Sequence, residues 1–182
     1  MRATAIRRSR GRTGSASPEA GQSLVEFSLI LFPLFVILLA IIQFGLIFGS
    51  FVTMSNAARD AARLGTIFEY NTGLSKDQND LIRNEAVLAS FKTSMNVLGT
   101  SAPYFANTST WTKSGLTYAN GDLVITYVVP SGVLDSDPRT GQQMTVNATY
   151  HQDLVVPIIS NFLPKDSGGR LALTGVVTMV IN

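Results

Sequence analysis

The chain has 182 residues, 46% of them hydrophobic, with no cysteine, one histidine and a net charge of +2. The missing cysteines exclude a disulfide framework, thiol catalysis and cysteine-based metal sites, and a lone histidine leaves no second one for a zinc pair. The length gives room for one domain beyond a membrane segment.

The charge is unevenly spread. Residues 1–21 hold Arg2, Arg7, Arg8, Arg10 and Arg12 against Glu19, a net +4. The remainder holds nine cations against eleven carboxylates, a net −2. The first twenty residues mix Arg, Ser, Gly, Thr and Pro18 with little apolar content, a composition that predicts irregular chain. Basic N-terminal runs can bind nucleic acid. This one has no interleaved aromatics and adjoins an apolar segment, so the positive-inside rule explains it more simply. The reading is a cytoplasmic leader, residues after about Ser50 across the membrane, and no nucleic-acid partner.

From Phe27 to Phe48 the chain runs 22 residues without Lys, Arg, Asp, Glu or His. At about 1.5 Å rise per residue such a helix spans roughly 33 Å, enough for the hydrocarbon core of a bilayer. It exceeds the apolar region of a secretory signal, about 7–15 residues, and no A-x-A-type cleavage site follows, so retention is expected. One carboxylate, Glu26, stands at its very start. An ionisable group there is costly if drawn toward the bilayer centre and calls for a dedicated partner. The simpler reading makes it a carboxylate near the headgroups, favoured by the helix dipole.

A single helix is predicted from about Gln22 to Leu64, with a kink at Pro33. Gly45 and Gly49 form G-x-x-x-G, a close-packing face for another membrane helix. Beyond the apolar run, Met54, Ala57, Ala58, Ala61 and Leu64 keep helical spacing. Arg59 and Arg63 share one side, reading as a solvated face outside the headgroups or as a subunit contact. Gly65 reads as the stop.

A second amphipathic helix is expected from about Lys76 to Val97, ended by Gly99. Its stripe includes Leu81, Ile82, Glu85, Leu88, Ala89, Lys92 and Met95, with Asp77 and Asp80 at its positive end. Strands follow. Trp111–Ala119 and Asp122–Val129 flank Asn120-Gly121, the dipeptide of a type I′ hairpin. Gln143–His151 alternates like a half-buried strand, and Leu171–Ile181 reads as a final one. Pro130–Gly132 and Asp135–Gly141 read as loops, and Val155–Leu163, with Pro157, as a loop or short helix. The expected fold class is α+β: a long N-terminal helix, a second helix and an antiparallel sheet of about four strands. The corresponding division is residues 1–21 as leader, 22–66 as membrane helix and 67–182 as an extracytoplasmic α+β domain.

Catalytic readings find little footing. His151 alternates onto the outer face of a strand, a surface or sheet-edge position. No G-x-S-x-G, phosphate-binding glycine loop or H-E-x-x-H occurs. Asp135 and Asp137 fall short of a calcium loop and read as a turn stabilised by Asp and Pro138. Asn107-Thr108-Ser109 and Asn147-Ala148-Thr149 match the glycosylation sequon, a pattern too short to carry an argument. Trp111 reads as core. No enzyme, cofactor or metal is indicated.

The junction Gly21-Gln22-Ser23-Leu24-Val25-Glu26-Phe27 is where topology and chemistry coincide. Gly, four residues, Glu and an aromatic resembles the processing site of type IV prepilins of the tight-adherence class. With Asn56-Ala57-Ala58-Arg59-Asp60-Ala61-Ala62-Arg63 past the span, residues 21–66 look like the TadE-like family of tight-adherence pilus proteins. The resemblance implies cleavage between Gly21 and Gln22 by a membrane prepilin peptidase on the cytoplasmic side. It also implies pairing of Glu26 with the free α-amino group of a neighbouring subunit, which neutralises both charges and fixes register, with Phe27 at the head of the assembly helix.

The function so implied is a non-enzymatic minor pilin or pseudopilin in pilus biogenesis and adherence. The domain of over a hundred residues beyond the helix favours a minor over a major subunit. Its partners are the membrane, the prepilin peptidase, other pilin subunits and the assembly platform. Its place is a single-pass cytoplasmic-membrane protein that can enter a surface pilus. The alternative is an uncleaved, signal-anchored extracytoplasmic binding protein.

Overall fold

A computed structural model describes residues 18–95, 110–136 and 138–182. The leader up to residue 17, the helix end expected at Val97 and Gly99, the sequon at Asn107 and Asp137 lie outside the described residues. The architecture is α+β. Helix α1 (Pro18–Thr66) is followed by α2 (Lys76–Met95), then strands β1 (Thr112–Ser114), β2 (Thr117–Asn120), β3 (Leu123–Val128) and β4 (Gln143–Gln152). A one-turn helix α3 (Pro157–Ser160) and strand β5 (Leu171–Val180) complete it. The chain divides into two compact units, Met1–Leu38 and Leu39–Asn182.

In the first unit, α1 is an apolar helix with Pro33 inside it. Leu24, Val25, Phe27, Leu29, Ile30, Phe32 and Leu34 are all exposed there. A helix that shows Leu, Ile and Phe on every side is suited to lipid rather than water. The apolar stretch of α1 is long enough to cross a membrane and fits a single-pass membrane protein.

The second unit is a five-stranded antiparallel meander in the order β1-β2-β3-β4-β5, with the end of α1 and α2 contributing to its core. Alternation sets the buried face. Tyr118, Leu123, Ile125, Tyr127, Met144, Val146, Ala148 and Tyr150 are fully buried, while Thr126, Thr145, Asn147 and Thr149 lie half-buried between them. From α1 the core receives Met54, Ala57, Ala58, Ala61 and Ala62, none more than 1% exposed. From α2 it receives Val87, Leu88, Phe91 and Met95.

The small side chains of α1 bring backbones close. A Cβ on Gly65 would lie 2.4 Å from Met144 Cε and 2.7 Å from Val87 Cγ2, and one on Gly175 of β5 would lie 3.1 Å from Met54 Cε. Gly65 is therefore no stop signal: α1 runs through it to Thr66, and the glycine serves close approach. Thr66 Oγ1 then donates to the Arg63 carbonyl at 2.8 Å.

The sheet has one strand more than the sequence suggests. Trp111–Ala119 is split by a two-residue turn, with Ser114 paired to Thr117 and Gly115 at φ +60°. In the next hairpin Asn120 pairs with Leu123, so Gly121-Asp122 forms the turn. Among the described residues no non-glycine has a positive φ. Asp122 therefore cannot take the second position of a type I′ turn, and glycine at the first position is the type II′ requirement. Val155–Leu163 resolves into the single turn of α3, with Pro157 at its start. Asn147 belongs to β4, opposite Val176.

Candidate functional site

Gly21, Gln22, Glu26 and Phe27 all lie on α1 and all are exposed. Because the helix begins at Pro18, Glu26 stands more than two turns inside it. It is outside the first turn, where the dipole stabilises a carboxylate. Its partner is the side chain four residues earlier: Gln22 Nε2 donates to Glu26 Oε1 at 3.0 Å. That contact uses the i, i+4 face of the helix but leaves the negative charge uncancelled. No atom outside the local helix lies within 4 Å of a Cβ built on Gly21. Gly45 and Gly49 share a face one turn apart, both exposed and with nothing within 4 Å of their built Cβ atoms. That face is open to a second helix.

Arg59 and Arg63 are exposed, whereas the alanines between them are buried. The motif Asn56–Arg63 thus divides cleanly, with small residues against the sheet and charges outward. The N-terminal segment is TadE-like: residues 21–63 match the family model described as TadE-like protein. The matched stretch takes in the Gly21–Phe27 junction, the apolar run and the alanine stripe. Comparison with curated proteins and with solved structures gave no match.

Outside the TadE-like segment, two polar clusters were not evident in the sequence. The first is buried. Asp80, Arg83 and Arg139 are 0%, 2% and 1% exposed. Arg139 grips Asp80 in a fork, Nε to Oδ1 at 2.6 Å and Nη2 to Oδ2 at 2.7 Å. Arg83 Nη1 reaches Oδ1 at 3.3 Å, and the Tyr118 hydroxyl donates to Oδ2 at 3.1 Å. Arg139 Nη1 is shared between Asp135 Oδ1 at 2.8 Å and Gln142 Oε1 at 2.7 Å. Its guanidinium also lies 4.3 Å from the Tyr127 ring centre. Lys76 pairs with Asp135, and that hydrogen bond, with the nearby Arg139, holds the Asp135 carboxyl below the usual carboxylate range. Burial, then the Asp80 charge and hydrogen bond, push the Tyr118 hydroxyl well up.

This cluster corrects the expected face of α2. Leu81, Ile82 and Ala89 are exposed, while Asn79, Asp80, Arg83 and Asn84 point inward. The first half of the inner face is polar because it meets Arg139. Asp80 serves that ion pair rather than the helix end, whereas Asp77 stays exposed and pairs with Lys113 at 2.6 Å. Trp111 is half-buried against the core, its Nε1 donating to Glu85 at 2.8 Å.

The second cluster surrounds His151. The strand carrying it lies between β3 and β5, but β3 pairs with it only as far as Ala148, so His151 has a strand partner on one side alone, Ala172 of β5. Nδ1 lies 2.5 Å from Asp166 and Nε2 3.3 Å from Asp122. Burial opposes the charged ring, but hydrogen bonds to Asp166 and Asp122 outweigh it and raise the pKa above the ordinary value. Asp166 is held low, first by the backbone N–H of Arg170 and also by His151. The carboxylates sit on opposite nitrogens of one ring. They hold its orientation and do not converge on a metal; among the described residues no group of three His, Asp or Glu side chains is placed to do so.

Proposed function

We propose that the chain is a minor pilin or pseudopilin of a tight-adherence pilus, cut between Gly21 and Gln22 by a prepilin peptidase and acting without catalysis of its own. The observation that carries this is the Gly21–Phe27 junction at the head of an exposed apolar helix, within a TadE-like match. Before the cut, the partner of Glu26 among the described residues is the neutral Gln22 amide. After it, residue 22 carries an α-amine, the one new cation able to neutralise a carboxylate entering a helix bundle. An unpaired buried carboxylate is strongly unfavourable, so pairing with a neighbouring subunit sets the axial register. Gly45 and Gly49 supply a close-packing face for that neighbour. The arginine leader keeps the cut site cytoplasmic and the α+β unit outside, where it adds to pilus initiation or adherence.

The test is assembly. In cells carrying the pilus machinery, Glu26→Ala should leave protein level and processing intact while removing the subunit from the assembled pilus fraction. Wild-type incorporation of that variant would refute the pairing. The reading as an uncleaved anchored binding protein predicts no dependence on Glu26 at all.

A further inference from the structure

The segment between β4 and β5 shows an apolar surface where a solvated loop would be polar. Val155 is 65% exposed, Ile158 45% and Phe162 84%. Exposed apolar residues scattered singly need no explanation. These three lie within eight residues, Ile158 in the one-turn helix α3 and Val155 and Phe162 on either side of it, and the segment is fixed to α1. Gln43 is fully buried, and its Oε1 accepts the Val156 N–H at 3.0 Å. The Ser50 hydroxyl is bonded to Gln152 just before it.

Gln43 is the polar interruption in an otherwise apolar stretch of α1. Around it Ile41, Ile42, Phe44, Leu46, Phe48, Phe51 and Val52 are exposed. Phe48 is five residues further on, or about 7.5 Å along the helix axis, and no charged residue occurs between Phe27 and Arg59. The loop is therefore tied to α1 at a level where α1 itself presents only apolar side chains to its surroundings. We propose that Val155, Ile158 and Phe162 dip into the outer leaflet beside the helix, giving the extracytoplasmic unit a second, interfacial contact with lipid. This rests on α1 being membrane-embedded.

The backbone and flanking charges suit that place. Polar backbone groups near the hydrocarbon need partners. The Val156 N–H has Gln43, and Pro157 has no N–H. Ser160 N–H bonds the Val156 carbonyl at 2.9 Å, and Phe162 N–H bonds that of Ile159 at 3.0 Å. The Ser160 hydroxyl turns inward onto the Pro157 carbonyl at 2.8 Å. On either side, Asp153 is neutralised by Arg170 at 2.9 Å, and Lys165 stands three residues after Phe162, its Nζ donating to Asn161 Oδ1 at 3.4 Å. An apolar face buried a few ångströms with a cation at its rim is the pattern of interfacial segments, which penetrate by about 5–10 Å.

The absence of cysteine makes the test direct. Single-cysteine variants Phe162→Cys, Phe44→Cys and Leu134→Cys of the full chain, reconstituted in phosphatidylcholine–phosphatidylglycerol vesicles, carry an environment-sensitive fluorophore. Leu134 is 81% exposed, in the loop that neighbours Gln142, and serves as the aqueous reference. The expected result is quenching of the labels at 162 and 44 by nitroxide-bearing lipids, with a blue-shifted emission, and quenching of the label at 134 only by iodide. A label at 162 quenched by iodide while that at 44 is quenched by lipid overturns the proposal and leaves the membrane helix standing. Protection of 162 from both quenchers also overturns it, because the cover is then protein. Failure of lipid quenching at 44 removes the membrane reading itself and the proposal with it.

Discussion

The two ends of α1 are both apolar, yet they solve opposite problems. Between Leu24 and Leu38 the side chains are Leu, Ile, Phe and Val apart from Glu26, Ser28 and Pro33, and nearly all are exposed. From Met54 to Gly65 the inward positions are one methionine, four alanines and a glycine, all buried. Lipid is fluid and conforms to bulky side chains, so size is unconstrained there. A sheet is close-packed and rigid, so the helix that rests on it must be thin. The TadE-like match covers both kinds of surface, one exposed and bulky and one small and packed against the sheet.

That contrast can be broken most severely through the ion pairs under the sheet. Asp80→Ala strands two buried guanidinium groups. Loss of one partner of a buried pair costs about 3–5 kcal/mol, so the α+β unit should unfold far earlier in denaturant, read by Trp111, the only tryptophan. Next, Ala58→Leu overpacks a fully buried site beside Gly175 and should cost about 1–3 kcal/mol by the same measurement. The matching change in the other region, Leu29→Ala, should shift that midpoint by no more than about 0.5 kcal/mol, because no rigid neighbour defines its volume. Equal effects at Ala58 and Leu29 would erase the distinction.

The smallest effect concerns pH. The raised pKa of His151 means that the folded state favours the charged ring. Its contribution is fully present below the unfolded value of about 6.5 and is lost as pH rises through the folded value above that. Asp166, held low, works in the opposite sense: its contribution is present above about 3.9 and is lost as pH falls through its folded value. Wild-type urea midpoints should therefore decline as the solution passes from mildly acidic to mildly alkaline. His151→Gln should flatten that decline.

Much of this was legible in the chain. The long helix follows from an uncharged run, and the strands from alternation, with the β2–β3 hairpin marked by Asn120-Gly121. What escaped reading depended on partners distant in sequence. The inner face of α2 looked apolar at Leu81 and Ile82, but Arg139, 59 residues from Asp80, turned the polar side inward. Gly65 carries the same letter as a helix terminator, and only its neighbours Met144 and Val87 reveal a packing role. The Ser114–Thr117 turn hid inside a stretch of strand-forming residues, marked by Gly115 alone. At the junction, the motif was legible in the chain, and the structure added the hydrogen bond from Gln22 to Glu26.

The most direct measurement is the intact mass of the protein extracted from membranes of cells that carry the prepilin peptidase. The account predicts a chain beginning at Gln22, short of residues 1–21, and a full-length chain when the peptidase is deleted. Retention of the leader in the presence of the peptidase would contradict it.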